Sequence, residues 1–209
     1  MKLFDFDGTL VDSNGVWVEV DKRFLGALGL EPTREYIDLM GHSIFPIAAQ
    51  ITREYYHLDL TTDEIMARWL KLAREAYRHQ VELKPGVLEY LTRCQARGER
   101  TVLFTACVKE LCMAAMERHG LSRYFEGMIF VEDLGMEKRD PKTFPLVLER
   151  LGVQAGECTL YEDSPGACAA AKAAGLTVVG VYDDFYAHCE EELRANCHRC
   201  IHSFEELLN

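Results

Sequence analysis

Two acidic residues near the start of the sequence stand at the end of a short apolar run. Asp5 and Asp7 are separated by one residue, and Gly8 follows them directly. Glycine lets the chain turn at this point, because it adopts backbone conformations that other residues avoid. Paired carboxylates at a turn can share the work of a nucleophile and of a proton carrier. Asp5 and Asp7 are therefore the first candidates for catalysis.

A second acidic pair, Glu162 and Asp163, follows another apolar run. Directly after it, Ser164 suits the N-cap of a helix and Pro165 suits its first turn. This order predicts a strand, a turn and then a helix. In an open α/β sheet such turns lie at the carboxyl ends of the strands, so the second pair should face the same edge as the first.

A cation is needed to hold an anionic group beside several carboxylates, because their mutual repulsion would otherwise oppose binding. The segment 137–144 supplies two candidates, Lys138 and Lys142. Either ammonium could reach the acidic residues, since lysine carries its charge on a long flexible stem. The residue types alone leave both lysines open.

Short apolar runs alternate with helical patterns along most of the chain. Each run is short and apolar enough for a strand that is buried on both faces, as in a parallel sheet covered by helices. The pattern therefore predicts a doubly wound α/β fold. The expected strands are 2–6, 101–105, 128–131, 159–162, 177–182 and a final short strand around 200–202.

The interval between the first two of these strands is far longer than one crossover helix and shows helical periodicity. Apolar residues repeat at helical spacing over 17–28 and again over 44–55. A third helix is predicted after Thr61, which has capping-box spacing to a glutamate. Lys84-Pro85-Gly86 should stop this last helix and so end a helical insertion that spans 14–83.

The segment Asp5–Ser13 resembles the first motif of the haloacid dehalogenase superfamily, and the segment Glu162–Gly175 resembles its acidic fourth motif. The resemblance covers nearly the whole chain. It implies a Rossmann-like catalytic core formed by residues 1–13 and 84–209. It also implies that residues 14–83 form an α-helical cap domain inserted into that core.

By this resemblance, Asp5 is the nucleophile that accepts a phosphoryl group and Asp7 is the general acid/base. The resemblance also implies Mg²⁺, with the side chains of Asp5 and Asp163 and the backbone carbonyl of Asp7 as ligands. Glu162 is a further candidate ligand. Oxygen ligands of this kind suit a hard cation that keeps several of its own waters.

The resemblance implies a phosphate-binding set as well. Thr105, at the end of its strand, corresponds to the Ser or Thr of the second motif, and Gly8 and Ala106 belong to the loops around the phosphoryl group. The competing interpretation of Thr105 is a helix N-cap. Lys138 takes the place of the motif lysine, although the proline that usually follows is missing, and Lys142 stays the alternative.

Together these features predict a Mg²⁺-dependent phosphatase that hydrolyses a small sugar, polyol or nucleotide phosphate through an aspartyl-phosphate. A sugar-phosphate mutase similar to β-phosphoglucomutase is one alternative, since residues 40–44 resemble a cap substrate loop of that subgroup. Against it, Trp17 stands where the mutases use a histidine, so no proton relay to Asp7 is expected there. The third alternative is a non-catalytic phosphoacceptor module, which would need neither the insertion nor Asp7.

The substrate is not identified by the sequence, because the resemblance is weakest in the insertion. Aromatic residues at helical spacing pack in a core more often than they line a pocket. With that reservation, the candidates for a substrate pocket are Asn14, Trp17, Gly41, His42, Trp69 and Tyr77.

The formal net charge is −11, with 34 acidic residues against 23 Lys and Arg. This balance opposes nucleic acid and anionic membranes as partners, because such partners require a surplus of basic residues. A small phosphorylated metabolite stays compatible, since one cation and one lysine can create a local positive site. Acids in the first residues argue against a secretory signal, and no apolar run suits a membrane span, so we expect a cytoplasmic protein.

The eight cysteines are expected to be free thiols, since most stand singly in apolar periodic segments. One cluster, His188-Cys189 followed by Cys197-His198-Arg199-Cys200 and His202, offers a CxxC pair with flanking imidazoles and could ligate zinc. A second CxxC or a spaced histidine pair is missing from the sequence. A helix end followed by a short strand is the preferred interpretation.

Overall fold

The structure is a computed structural model that describes residues 1–40, 43 and 45–208, without the side chains of residues 185 and 186. Strands and helices alternate along the chain. The strands are β1 (Lys2–Phe4), β2 (Val11–Asp12), β3 (Glu82–Leu83), β4 (Thr101–Thr105), β5 (Gly127–Phe130), β6 (Thr159–Glu162), β7 (Thr177–Val181) and β8 (Arg199–Ile201). The α-helices are α1 (Asn14–Gly26), α2 (Arg34–Met40), α3 (Phe45–Tyr55), α4 (Thr62–His79), α5 (Val87–Ala96), α6 (Lys109–Arg118), α7 (Thr143–Leu151), α8 (Pro165–Ala173) and α9 (Glu190–Asn196). Short 3₁₀ helices span Leu121–Tyr124, Val131–Leu134, Ala155–Glu157, Asp184–Cys189 and Phe204–Leu207.

Six strands form one sheet in the order β5-β4-β1-β6-β7-β8, and every neighbouring pair is parallel. Phe4 of β1 lies opposite Leu103 of β4 on one side and Tyr161 of β6 on the other. Along the chain, β4 and β5 first extend the sheet on one side of β1, and β6, β7 and β8 then extend it on the other side. The structure thus confirms the predicted doubly wound α/β fold, in which ligands bind at the carboxyl ends of the strands.

Two apolar clusters cover the two faces of the sheet. Leu3 and Phe4 are neighbours in β1 but point to opposite faces, as successive residues of a strand do. Phe4 packs in the cluster that includes α5 and α6, and Leu3 packs in the one that includes α7, α8 and α9. Because both faces are covered, the strands are continuous apolar runs. The sequence located them to within two residues for this reason.

Four helices, α1 to α4, lie between β2 and β3 in the described part of the chain. α4 begins with the predicted capping box, in which Thr61 Oγ1 accepts from the Glu64 N–H at 3.2 Å and the Glu64 carboxylate accepts from the Thr61 N–H at 2.8 Å. The sequence analysis missed α2, in which Tyr36 is the buried residue, because one apolar contact creates no periodic pattern. That 14–83 form a domain of their own stays a prediction.

A short antiparallel ribbon joins the two ends of this insertion. Val11 of β2 pairs with Leu83 of β3, and each strand has two residues. The expectation that the last helix runs up to Pro85 is wrong, since α4 ends at His79 and β3 intervenes. Strands this short carry too few residues for a recognisable pattern. The chain therefore enters and leaves the insertion through one paired segment.

The helices of the insertion are amphipathic rather than uniformly apolar. α4 spans 18 residues and carries charged residues in its first and its last turn. Its buried residues recur every fourth position and are Ile65, Trp69, Ala73 and Tyr77. Over 1–40, 43 and 45–208, no helix combines the length and the apolar composition needed to cross a membrane.

Asp21 on α1 is a partly buried carboxylate of the insertion. Its Oδ1 accepts a hydrogen bond from the hydroxyl of Tyr36 at 3.3 Å. Burial raises the pKa of Asp21 from 3.8 to about 7, and the hydrogen bond from Tyr36 opposes this only in part. The folded protein therefore binds this proton more tightly than the unfolded chain does. The stability that Asp21 contributes is present at low pH and is lost as the pH rises to about 7.

We expect Asp21→Asn to lose less stability than the wild type between about pH 5 and about pH 8, because an amide does not titrate. The difference between the two proteins should reach about 1 kcal/mol or more, since one pKa unit corresponds to about 1.4 kcal/mol. Urea unfolding at both pH values with excess Mg²⁺ measures it. Asp59→Asn, at an exposed position, should follow the wild type. Parallel pH curves for Asp21→Asn and the wild type would contradict the raised pKa.

Candidate active site

The chain turns sharply where β1 ends. β1 stops at Phe4, two residues before the end of the predicted strand 2–6. The N–H groups of Leu10 and Val11 both donate to the carbonyl of Phe6, at 2.9 and 3.1 Å, and close the turn. Gly8 occupies it with φ 73°, in the left-handed region. The predicted turn after the first acidic residue is therefore present.

Asp163, which follows β6, lies directly against this turn. Its Oδ1 accepts from the hydroxyl of Thr9 at 3.3 Å, and its Oδ2 accepts from the side-chain amide of Asn14 at 3.1 Å. A Cβ at position 8 would lie 2.2 Å from Asp163 Oδ2 and 2.3 Å from Asn14 Nδ2. Gly8 was a candidate for phosphate binding; in the structure it makes room for Asp163.

The ammonium group of Lys138 lies between two carboxylates. It forms an ion pair with Asp5 Oδ1 and donates to Glu162 Oε2 at 2.7 Å. All three residues are buried, with exposed fractions of 8% for Lys138, 5% for Asp5 and 2% for Glu162. The other oxygen of Glu162 accepts from the N–H of Ser164 at 3.1 Å. Lys142 is exposed at the N-terminus of α7, so the lysine that reaches the acidic residues is Lys138.

Asp5, Glu162 and Asp163 form an acidic trio. One carboxylate oxygen from each residue lies within 4.8 Å of the other two. Lys138 forms ion pairs with two of these three buried carboxylates, Asp5 and Glu162, so the trio keeps an excess of negative charge that a divalent cation would balance. Oxygen donors are also the ligands that Mg²⁺ prefers. The residues present therefore fit a hard divalent cation.

The carboxyl groups of the trio hold their protons more tightly than usual. Burial raises the pKa of Asp5 to about 7, with repulsion from Glu162 adding to the effect and Lys138 opposing it. Burial likewise raises the pKa of Glu162 and that of Asp163 to about 7. Burial alone would lower the pKa of Lys138, but attraction to Asp5 and Glu162 outweighs it and the pKa is raised. A nearby cation would favour the ionised carboxylates.

The carboxylate of Asp7 faces the insertion rather than the acidic trio. Its Oδ1 accepts hydrogen bonds from the hydroxyls of Ser13 and Tyr77, each at 2.6 Å. The Tyr77 oxygen in turn accepts from the indole N–H of Trp17 at 3.0 Å. Burial, together with the charge of Asp7, raises the pKa of Tyr77 well above its usual range, so the hydroxyl keeps its proton. Two carboxylates in such different surroundings are suited to different roles.

Thr105 ends β4, the strand beside β1. It is fully buried, and its Oγ1 accepts from the N–H of Cys107 at 3.0 Å. The N-cap interpretation is wrong, because α6 begins at Lys109 and its N-cap is Val108. An accepting hydroxyl keeps its own proton for a second bond. Contact of Thr105 and Ala106 with a phosphoryl group stays a prediction.

Residues 2–181 match the family model described as haloacid dehalogenase-like hydrolase. The chain belongs to this family. Its fold is shared by CbbY from Rhodobacter sphaeroides, solved in complex with phosphate, with a TM-score of 0.82 at 22% identity over 99% of this chain and 95% of that one. A hydrolase from Pseudomonas syringae gives a TM-score of 0.81 at 21% identity, covering 100% and 95% of the two chains. The resemblance inferred from the sequence motifs is confirmed.

Several curated relatives of this haloacid dehalogenase-like hydrolase are named phosphatases. The fructose-1-phosphate phosphatase of Escherichia coli is 28% identical over 180 residues, covering 86% of this chain and 94% of that protein. The phosphorylated carbohydrates phosphatase of Thermotoga maritima is 25% identical over 178 residues, covering 83% and 81%. The phosphoglycolate phosphatase of Pseudomonas savastanoi pv. phaseolicola is 29% identical over 187 residues, covering 86% and 68%. These names agree with a hydrolase that acts on phosphate esters.

Sequence reasoning missed the partners of two acidic residues in this hydrolase. Ser13 and Tyr77 bond Asp7, and Asn14 bonds Asp163. Tyr77 was a candidate for either a pocket or the core. It lies four residues after the buried Ala73 on α4, and this spacing indicates burial but does not indicate the hydrogen-bond partner. Trp17 was expected to offer no proton relay to Asp7, and the structure connects the two through the hydroxyl of Tyr77, to which the indole only donates.

The candidate mutase loop 40–44 cannot be compared in full, because Gly41, His42 and Ile44 lie outside the described residues.

The CxxC cluster lies beside β7, where a Cβ at Gly180 would lie 2.7 Å from Cys197 Sγ and 3.0 Å from Cys200 Sγ. Within the described residues, the acidic trio is the group that brings three possible metal ligands together. The zinc alternative has no support in this arrangement.

We expect Gly8→Ala to destabilise the protein by about 1 to 3 kcal/mol more than Gly98→Ala, because it overpacks a filled site. Both glycines have positive φ, 73° and 66°, so the backbone strain is common to both variants. A Cβ at Gly98 meets nothing within 4 Å, whereas one at Gly8 overlaps Asp163 and Asn14. Urea unfolding of the two variants measures the difference. Equal losses of stability would contradict the close approach of Asp163.

Proposed function

We propose that this protein is a Mg²⁺-dependent phosphatase that hydrolyses small phosphate monoesters through an aspartyl-phosphate on Asp5. One observation carries the proposal: the buried carboxylate of Asp5 stands at the end of β1 with Lys138 on one oxygen and Asp163 close by. Membership of a hydrolase family and relatives that are named phosphatases support it.

Hydrolysis in two displacements needs one carboxylate that attacks and another that moves protons. In the first step an oxygen of Asp5 bonds to phosphorus, the bond from phosphorus to the leaving alcohol breaks, and Asp7 gives that alcohol its proton. In the second step water attacks the phosphorus of phospho-Asp5 and gives a proton to Asp7, while the bond between the Asp5 oxygen and phosphorus breaks and phosphate is released. One ester and one water become one alcohol and one phosphate, and both aspartates return to their starting states.

A phosphate ester is an anion, so it can approach the acidic trio only if the carboxylates are counterbalanced. Lys138 supplies one fixed positive charge at Asp5. We propose that Asp5, Asp163 and the backbone carbonyl of Asp7 hold Mg²⁺, which supplies further positive charge for the phosphoryl oxygens. Glu162 suits a different role, that of holding Lys138, since its two oxygens already accept from Lys138 and Ser164.

The phosphoryl group itself would be bound at the carboxyl edge of the sheet. We assign Lys138, the hydroxyl of Thr105 and the backbone N–H of Ala106 to this role. Lys138 is a charged donor that contacts Asp5 directly after β1. Thr105 is a neutral donor at the end of β4, the strand that pairs with β1. Donors aimed at oxygens that gain charge in the transition state are usually the largest single source of catalysis.

We propose a sugar phosphate, a polyol phosphate or another small metabolite phosphate as the substrate. The named relatives act, by their names, on fructose 1-phosphate, on phosphorylated carbohydrates and on phosphoglycolate. The net charge of −11 disfavours polyanionic substrates. A small ester can be shielded from this charge inside the site, and the cytoplasm is where we expect the protein to meet it.

Release of inorganic phosphate from a panel of sugar, polyol and nucleotide monophosphates tests the proposal. We expect Mg²⁺-dependent turnover that a chelator removes. Asp5→Asn should show no turnover, because an amide is a poor nucleophile. Asp133→Asn, which changes an exposed acid, is the matched control and should keep wild-type activity. Turnover by Asp5→Asn at the wild-type rate would overturn the covalent mechanism.

Two other activities would be visible in the same experiment. A mutase would convert glucose 1-phosphate to glucose 6-phosphate with a bisphosphate activator, much faster than it releases phosphate. A phosphoacceptor module would retain phosphate on Asp5 without turnover. We do not expect the mutase activity, because the side chain of Trp17 does not titrate, whereas the mutases carry a histidine at this position. We do not expect the phosphoacceptor module, because it would not need Asp7, for which we propose acid/base catalysis. Either result would replace the phosphatase proposal.

We expect Lys138→Met to lower kcat/KM by about 100-fold, since a preorganised charge at the transferring group contributes roughly 3 kcal/mol. Lys142→Met should lower it less than about threefold, because an exposed charge is screened by solvent. The same substitution at a buried and an exposed lysine controls for the loss of charge as such. Circular dichroism checks that both variants are folded. A reversed order of the two losses would assign phosphate binding to Lys142.

A further inference from the structure

Two hydroxyl groups converge on one oxygen of Asp7. Ser13 Oγ and Tyr77 Oη each lie 2.6 Å from Asp7 Oδ1. A carboxylate oxygen offers about two lone-pair sites, and both are used here. Cys107 also neighbours Asp7, but its thiol is only a weak donor. A proton that Asp7 carries therefore belongs on Oδ2, the oxygen to which neither hydroxyl is bonded.

Trp17 sets the direction of the hydrogen bond between Tyr77 and Asp7. The indole N–H of Trp17 donates to Tyr77 Oη at 3.0 Å. An indole nitrogen can only donate, so the tyrosine oxygen accepts on that side and directs its own proton to Asp7. The ring of Trp17 packs against Phe45, with 5.7 Å between ring centroids. Trp17 thus occupies an acceptor site of the Tyr77 oxygen and favours the orientation in which Tyr77 donates to Asp7.

The helix that carries Tyr77 is attached to the core. α4 packs along α6, and Arg74 of α4 forms an ion pair with Glu110 of α6 at 2.9 Å. Tyr77 is fully buried. α6 follows directly on the loop after β4, the strand next to β1. This packing places the hydroxyl of Tyr77 beside the turn that follows β1, where it reaches Asp7.

We propose that Tyr77 is a positioning residue that, together with Ser13, keeps the proton of Asp7 on Oδ2 and aims it at the leaving group. The inference rests on the proposed phosphatase function. As the oxygen of Asp5 bonds to phosphorus, the electron pair of the breaking ester bond stays on the alcohol oxygen, and the proton from Asp7 Oδ2 binds to it. Asp7 is then ionised, with two donors on Oδ1, and Oδ2 is ready to take a proton from water.

The dependence of rate on the leaving group tests this role. Fructose 1-phosphate has a poor leaving alcohol that must be protonated, whereas 2,4-dinitrophenyl phosphate leaves as a stable anion without a proton. The ratio kcat/KM reports the steps up to formation of phospho-Asp5. A positioned general acid contributes about 10²- to 10⁴-fold, and we expect Tyr77→Phe to lose roughly tenfold of this on fructose 1-phosphate. The loss on 2,4-dinitrophenyl phosphate should stay below about threefold.

Three further variants sharpen the test. Ser13→Ala removes the other donor and should show the same selective loss, which also carries the test if Tyr77→Phe does not fold. Trp17→Phe keeps the Tyr77 hydroxyl but removes the indole N–H that orients it. We therefore expect a smaller loss of kcat/KM than in Tyr77→Phe, again mainly on fructose 1-phosphate. Tyr56→Phe changes another tyrosine of the insertion, whose hydroxyl donates to the Glu31 carbonyl at 2.9 Å. It should leave both rates unchanged.

Each outcome decides between the proposals. Selective loss on fructose 1-phosphate in the Tyr77 and Ser13 variants supports the positioning role. Equal losses on the two esters, or no loss, would overturn it while leaving the phosphatase proposal intact, because a merely structural contribution does not depend on the leaving group. A folded wild-type protein that hydrolyses neither ester with Mg²⁺ would overturn the phosphatase proposal and this inference with it.

Discussion

The acidic edge of the sheet depends on the single ammonium group of Lys138. Asp5 and Glu162 follow or end adjacent strands and are buried, and burial raises the pKa of each to about 7. Lys138 contacts both carboxylates and opposes that shift. Buried charges are tolerated only when they are paired and hydrogen-bonded, because desolvation otherwise outweighs their attraction. Among the described residues, Lys138 is the cation that forms an ion pair with Asp5.

The separation of Asp5 from Asp7 follows from the turn after β1. The strand ladder ends at Phe4, and the tight turn at Gly8 sends the two carboxylates to different surroundings. Asp5 joins the acidic trio, while Asp7 accepts from the hydroxyl of Ser13 and from that of Tyr77 in the insertion. Neighbouring carboxylates in unlike surroundings can act as nucleophile and proton carrier without interchanging. The insertion therefore contributes a direct hydrogen bond to the carboxylate that we propose as the general acid/base.

Much of this protein could be predicted from local sequence. Mainly apolar runs located the strands, because a parallel strand buried on both faces has few polar positions. The capping box at Thr61 and the N-cap at Ser164 marked helix starts, because capping depends on residues a few positions apart. The acidic residues after β1 and β6 were also found from short segments, because they directly follow the apolar runs of those strands. Their common edge followed from the topology of a doubly wound sheet.

The sequence by itself thus determined the order of the elements, the family and the acidic residues, since these depend on patterns within short segments. Only the tertiary structure showed that Lys138 is the lysine that contacts Asp5, because the two residues meet across 133 positions of sequence. It alone revealed the ribbon of β2 and β3, which is too short for a periodic pattern. It alone joined Tyr77 to Asp7 across 70 positions, because hydrogen bonds between distant segments depend on packing that no local spacing encodes.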